Sequence, residues 1–136
     1  MAKSAKKILL VENHNEIRQF LALFMTRLGY KVFEAATGLE ATDLVSTMQP
    51  DLIMMDLRLP EMNGVEATAR LKAKPSTRDI PVLIITAYGA GIDTRRARDA
   101  GAAEILHKPI DLTTLPNVLH RYLSARTTKR RLAPKK

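Results

Sequence analysis

Polar residues with chemistry to offer stand where apolar runs stop. Glu12 and Asn13 follow Ile8 to Val11, Asp56 follows Leu52 to Met55, Thr86 closes Val82 to Thr86, and Lys108 with Pro109 follows Glu104 to His107. If these runs are parallel strands, their ends share one rim, and that rim is where ligands bind in open α/β sheets. Two carboxylates, an amide, a hydroxyl and an ammonium then converge. Carboxylate and amide oxygens suit a hard cation, and an ammonium beside them can neutralise a phosphoryl oxygen. A single Asp at a strand end is also an ordinary turn residue. A turn does not require complementary charges at the ends of four strands, so the set is read as a site. His14, His107 and His120 lack metal-ligand spacing among themselves and are read as structural or solvated.

The elements that would hold this rim alternate strand and helix five times. Ile8 to Val11, Leu52 to Met55 and Val82 to Thr86 are nearly continuous apolar runs, the pattern of strands covered on both faces. Lys31 to Ala35 and Glu104 to His107 are mixed or short and read as edges. Between them lie apolar residues at helical spacing. Ile17, Phe20, Leu21, Phe24 and Leu28 recur until Gly29, and this periodicity assigns Phe20 and Phe24 to the core. Ala41, Leu44, Val45 and Met48 lie on one face of a helix opened near Gly38 and closed by Pro50. Helices are also expected from about Gly64 to Ala73 and from about Gly91 to Ala100. A last helix presents Leu115, Val118, Leu119, Tyr122 and Leu123, and Pro116 places its start near Thr113. Right-handed crossovers with these central strands give an α/β fold: a flavodoxin-like doubly wound sheet of five parallel strands, order 2-1-3-4-5, with five helices.

The net charge of +8 over 136 residues is unevenly placed. Lys3, Lys6 and Lys7 near the start, and Arg126, Lys129, Arg130, Arg131, Lys135 and Lys136 at the end, meet no acid in either segment. Residues 8–125 keep 13 basic and 14 acidic residues, so the body is nearly neutral. One domain is expected over 6–125, with an N-terminal tail at 1–5 and a basic, disordered tail at 126–136. That tail carries no aromatic residue to stack on bases, so nucleic acid is not an expected partner. There is no cysteine, which removes disulfides, thiolate metal sites and thiol nucleophiles. No apolar run reaches the roughly 20 residues of a membrane span, and none suits a signal peptide, so the expected location is the cytoplasm.

Met-Asp-Leu-Arg-Leu-Pro-Glu-Met-Asn-Gly at 55–64, Ile-Thr-Ala-Tyr at 85–88, and Ala-Gly-Ala at 100–102 leading to Lys108-Pro109 resemble the receiver domain of two-component response regulators. The resemblance spans roughly residues 6–125. It implies that Asp56 is the phosphoacceptor, that Thr86 binds the phosphoryl group, and that Lys108 is its ion-pair partner. It further implies Mg²⁺ held by Glu12, Asn13, Asp56 and the backbone carbonyl of Arg58, and a cis Lys108–Pro109 bond. Two residues depart from the pattern. Asn13 stands where the family usually has an acid, and Ile105 replaces the usual aromatic switch residue, for which Tyr88 is a nearby substitute.

The expected function is a stand-alone receiver in two-component signalling, a phosphoacceptor that promotes its own Mg²⁺-dependent phosphorylation and not a conventional enzyme. Its expected partners are a sensor histidine kinase or histidine phosphotransfer protein as donor and a downstream protein target. One rival is a phosphorylation-independent pseudo-receiver acting as a binding module, which Asn13 and Ile105 favour and the trio Asp56, Thr86 and Lys108 opposes. A flavin or nucleotide enzyme on the same fold is opposed by Glu12-Asn13-His14-Asn15, where a glycine-rich phosphate loop would be needed.

Overall fold

Strand and helix alternate through the computed structural model, which describes residues 5–87 and 91–132, the last eight of these in backbone only. Strands β1 (Lys7–Val11), β2 (Lys31–Ala35), β3 (Leu52–Asp56), β4 (Val82–Thr86) and β5 (Glu104–His107) form one parallel sheet in the order β2-β1-β3-β4-β5. This is the expected order, and burial explains why it could be anticipated. All five residues of β3 and of β4 are buried, as are four of the five in β1, whereas β2 and β5 each bury a single residue. Registers such as Val11 opposite Met55 and Asp56 opposite Ile85 bring the carboxyl ends of neighbouring strands level.

The helices are α1 (Asn15–Arg27), α2 (Gly38–Met48), α3 (Gly64–Ala73), α4 (Gly91–Ala100) and α5 (Leu115–Leu132). Alternation along the strands sorts two cores. Ile8, Leu10, Leu52, Met54, Leu83 and Ile85 pack with α1 and α5 through Leu21, Met25 and Leu119. Leu9, Val11, Ile53, Met55, Val82 and Ile84 face α2, α3 and α4 through Val45, Leu71 and Ala97. Each such Leu or Ile, wholly removed from water, contributes about 1.5–3 kcal/mol before the entropy of ordering it is counted.

Local chemistry sets the helix ends. Thr37 caps α2 by accepting the Glu40 amide at 3.0 Å, while the Glu40 carboxylate reaches back to accept the amide of Ala36, one residue before the cap, at 2.8 Å, a variant of the capping box. Asn63 caps α3 by accepting the Glu66 amide at 2.9 Å. Gly29 at φ +105° and Gly101 at φ +117° end α1 and α4 in the left-handed conformation that glycine takes without strain.

Two expectations shift. Phe20, assigned to the core, is 55% exposed, and Phe24 is only partly buried; the buried stripe of α1 is Leu21, Ala22 and Met25. Apolar residues surround most of α1, more than one sheet face can cover, and the stripe that wins is displaced from the one that spacing alone selects. The last helix begins at Leu115, with Pro116 in its first turn where no amide donor is needed, instead of near Thr113. It runs to Leu132, so residues 126–132 of the expected tail continue α5 in backbone, and 1–4 and 133–136 lie outside the described residues.

Candidate functional site

The rim gathers because β1, β3, β4 and β5 end together. Asp56 is the last residue of β3 and 4% exposed; Thr86, the last of β4, is 2% exposed; and Glu12, directly after β1, has no exposure. The ladder continues one residue past β1, where the Glu12 amide donates to the Ala35 carbonyl at 3.0 Å. The Lys108 amide donates to the Thr86 carbonyl at 2.8 Å, which fixes the lysine backbone beside β4, and the Lys108–Pro109 bond is cis as expected.

Three charged groups meet. Lys108 Nζ donates to Asp56 Oδ2 at 2.6 Å and lies 3.4 Å from Glu12 Oε1. The other oxygen of Asp56, Oδ1, accepts the backbone amide of Arg58 at 2.9 Å. Burial raises the pKa of Asp56 and the charge of Glu12 adds to the rise; Lys108 and the Arg58 amide oppose it without cancelling it, so Asp56 holds its proton more strongly than an ordinary Asp. Burial also works to raise Glu12, but hydrogen bonds from His14 and the charge of Lys108 outweigh it, and its pKa is lowered. Desolvation works to lower Lys108, yet its two carboxylate partners raise it, so it stays an ammonium. The site is thus one cation shared by two buried acids.

Not every expected residue joins them. Asn13 is exposed, and its side-chain amide donates to the Ala36 carbonyl at 3.4 Å, after β2 and therefore on the opposite side of β1 from Asp56. Thr86 Oγ1 donates to the Ala87 carbonyl at 3.4 Å, close to the limit of a hydrogen bond. Ile105 is buried in the core against α4 and β4. Tyr88 lies outside the described residues.

Two neighbours escaped the reading of the sequence. Arg18, one helical turn into α1, donates to the Glu12 carbonyl at 2.8 Å, to Glu34 Oε1 at 3.0 Å and to Asn15 Oδ1 at 2.9 Å, clamping the segment that carries Glu12. A guanidinium with five fixed donors does this where a lysine could not. His14 presents Nδ1 to Glu12 Oε2 at 3.0 Å. The spacing that matters for His14 is to the carboxylate two residues away, not to the other histidines. Beside the charged groups Ile17, Phe20, Ile85 and Pro109 line an apolar cleft of about 630 Å³, of which the exposed Ile17 and Phe20 of α1 form one wall.

A divalent cation fits this donor set. Glu12 Oε1 is fully buried without a hydrogen-bond partner among the described residues, and Glu12, His14 and Asp56 each place a ligand atom within 4.8 Å of the others. Oxygen-rich, doubly anionic surroundings of this kind suit Mg²⁺.

The family model described as the response regulator receiver domain matches residues 8–120. Sporulation initiation phosphotransferase F of Bacillus subtilis (strain 168) is 35% identical over 118 residues, covering 87% of this chain and 94% of that protein. The polar-differentiation response regulator DivK of Brucella ovis is 34% identical, covering 87% of this chain and 96% of its own. Among solved structures, the signal receiver domain of a histidine kinase from Syntrophus aciditrophicus superposes with a TM-score of 0.84 at 32% identity, over 89% of this chain and 92% of that one. The receiver domain of a sensor histidine kinase from Pseudomonas aeruginosa PAO1, which has a magnesium ion coordinated in its active-site cleft, gives 0.82 at 30% identity over 89% and 99%.

Proposed function

The chain belongs to the response regulator receiver domain family, and from that premise we propose that Asp56 accepts a phosphoryl group from a phosphohistidine on a sensor histidine kinase or a histidine phosphotransfer protein. The observation that carries this reading is the Lys108 ammonium, 2.6 Å from Asp56 and 3.4 Å from Glu12 on one rim. That pair favours a phosphoacceptor over a phosphorylation-independent binding module, since a docking surface has no need of a buried acid held ready by a cation. An apolar wall at Ile17 and Phe20 beside the pair supports a protein as donor.

An Asp56 oxygen attacks phosphorus in line; the phosphorus–nitrogen bond to the donor imidazole breaks, and the imidazole nitrogen keeps the bonding pair. Lys108 neutralises the carboxylate before reaction and a phosphoryl oxygen after it. Thr86, whose hydroxyl is weakly engaged with Ala87, turns to donate to the acyl phosphate, and the segment that follows β4 moves with it. Glu12 and Asp56, with the Arg58 carbonyl, would hold Mg²⁺, and Asn13 would join them only by rotating away from the Ala36 carbonyl. When bound, that ion supplies further neutralisation of phosphoryl oxygens. The buried Ile105 gives the response a route through β5 without an aromatic flip, towards a downstream protein that recognises α4, β5 and α5. Residues 6–125 carry the reaction, and 126–136 are dispensable for it.

Incubation with a small phosphodonor and Mg²⁺, followed by intact mass and site mapping, tests this. One phosphoryl group on Asp56 is expected, and label that persists in Asp56→Asn overturns it.

A further inference from the structure

Residue 14 sits where the chain leaves β1 for α1, at φ −80° and ψ 114°, the extended geometry of an N-cap. It caps nothing with its side chain. Instead its backbone amide donates to Glu12 Oε2 at 2.9 Å, which folds the segment back on itself and brings the ring Nδ1 to 3.0 Å from the same oxygen. The ring is otherwise in solvent, its side chain 69% exposed. Glu12 alongside is wholly buried, and its Oε1 has no hydrogen-bond partner among the described residues, with the Lys108 ammonium 3.4 Å away. Ligand atoms of Glu12, His14 and Asp56 lie within 4.8 Å of one another. Asn13, the residue that family resemblance offered to a metal, leans towards β2 instead.

We propose that Glu12, Asp56 and His14 form a nitrogen-and-oxygen site for a borderline divalent transition-metal ion, Zn²⁺ being the representative, in competition with Mg²⁺ at the phosphoacceptor. Mg²⁺ prefers six oxygens and gains little from imidazole, whereas Zn²⁺ takes carboxylate oxygen and imidazole nitrogen together, commonly with three protein ligands and one open position. In the tautomer with its proton on Nε2, His14 turns the Nδ1 lone pair to the site. The ligand atoms lie within 4.8 Å of one another, and an ion at bonds of about 2.0–2.2 Å draws them closer. His14, exposed, closes its share by rotating its ring, and the two carboxylates close theirs by turning about their own side-chain bonds.

The inference rests on the metal-binding part of the function proposed above, and its test separates the two. Untagged full-length protein, wild type and the variants His14→Ala and Asp56→Asn, is titrated calorimetrically with Zn²⁺ and, separately, with Mg²⁺, and the histidine ring nitrogens are followed by NMR. In wild type, Zn²⁺ binds more tightly than Mg²⁺, and the His14 Nδ1 resonance shifts on binding. The ratio of Zn²⁺ to Mg²⁺ affinity falls by about tenfold or more in His14→Ala, and Zn²⁺ affinity falls in Asp56→Asn as well. An unchanged ratio in His14→Ala overturns the proposal. So does Zn²⁺ binding lost in His14→Ala but kept in Asp56→Asn, which would mark a surface histidine site. Phosphorylation of Asp56 with Mg²⁺ is read independently: its failure beside intact Zn²⁺ binding would remove the phosphoacceptor reading and leave this one standing.

Discussion

Strand β3 has an aspartate at each end, both nearly buried, and the two are held in opposite ways. Asp51, just before the strand and 8% exposed, accepts the Lys7 backbone amide at 2.8 Å while its own amide donates to the Lys7 carbonyl at 2.8 Å. These are main-chain partners on the neighbouring strand; they cannot leave without undoing the sheet. Asp56, at the other end and 4% exposed, is held largely by a lysine on a flexible stem and shares its surroundings with a second carboxylate. One acid is fixed by backbone and ties β1 to β3. The other is kept in a crowded arrangement that a side chain can release, and the proposed role of Asp56 as phosphoacceptor needs that release.

The sharpest way to break this contrast is to remove each acid and ask for the chemistry. Asp56→Asn should take up no phosphoryl group from a small donor, while Asp51→Asn should be labelled like wild type, as read by intact mass. Equal labelling of both would erase the distinction. Next in size, Lys108→Ala should slow phosphorylation by about 100-fold, the scale of losing one preorganised charge partner at a reacting anion; time courses at fixed donor and Mg²⁺ measure it.

Stability should move the other way. Asp51→Ala leaves the Lys7 amide without this acceptor and should cost about 1–3 kcal/mol in urea unfolding. Asp56→Asn relieves repulsion with Glu12 and the burial of a charge while leaving Lys108 its second carboxylate, and should stabilise by about 1 kcal/mol. Equal destabilisation by both would show that Asp56 is structural after all. The smallest expected effect is in pH dependence. Glu12, with its pKa lowered, adds stability above its ordinary 4.5 that is lost as pH falls through its depressed value. Asp56, with its pKa raised above 3.8, subtracts stability while ionised and returns it as pH falls through the raised value. Wild type therefore loses stability on acidification less steeply than Asp56→Asn, and urea midpoints between neutral pH and pH 3 should show it.

The contrast also explains what could be read from the chain beforehand. Strand order followed from which runs were apolar, because a strand covered on both faces confines its polar residues to its ends: Leu52 to Met55 and Val82 to Ile85 are buried throughout, and Glu34 on β2 is exposed. Asp56 and Lys108 were legible because polar residues after such runs must lie on the rim. Side-chain direction within the rim was not. Whether Asn13 turns to β2 or β3, and whether His14 turns to Glu12 or to water, depends on rotations about single bonds that no periodicity records. Phe20 failed for a related reason, since a helix apolar around most of its circumference carries no mark of which part the sheet covers.

Gly64 stands so close to the strand that a Cβ there would lie 2.8 Å from the Asp56 carbonyl oxygen, and a Cβ on Gly38 would lie 2.7 Å from that of Met62. The start of α2 thus abuts the segment after β3, and the start of α3 abuts Asp56 itself. In genetic terms the target for inactivation is larger than the set of charged residues. A random screen for signalling-null alleles should return alanine substitutions at 64, and more weakly at 38, alongside changes at Asp56 and Lys108. Those alleles would carry every reactive group intact, and their suppressors would be sought among the backbone-shaping residues of 57–63.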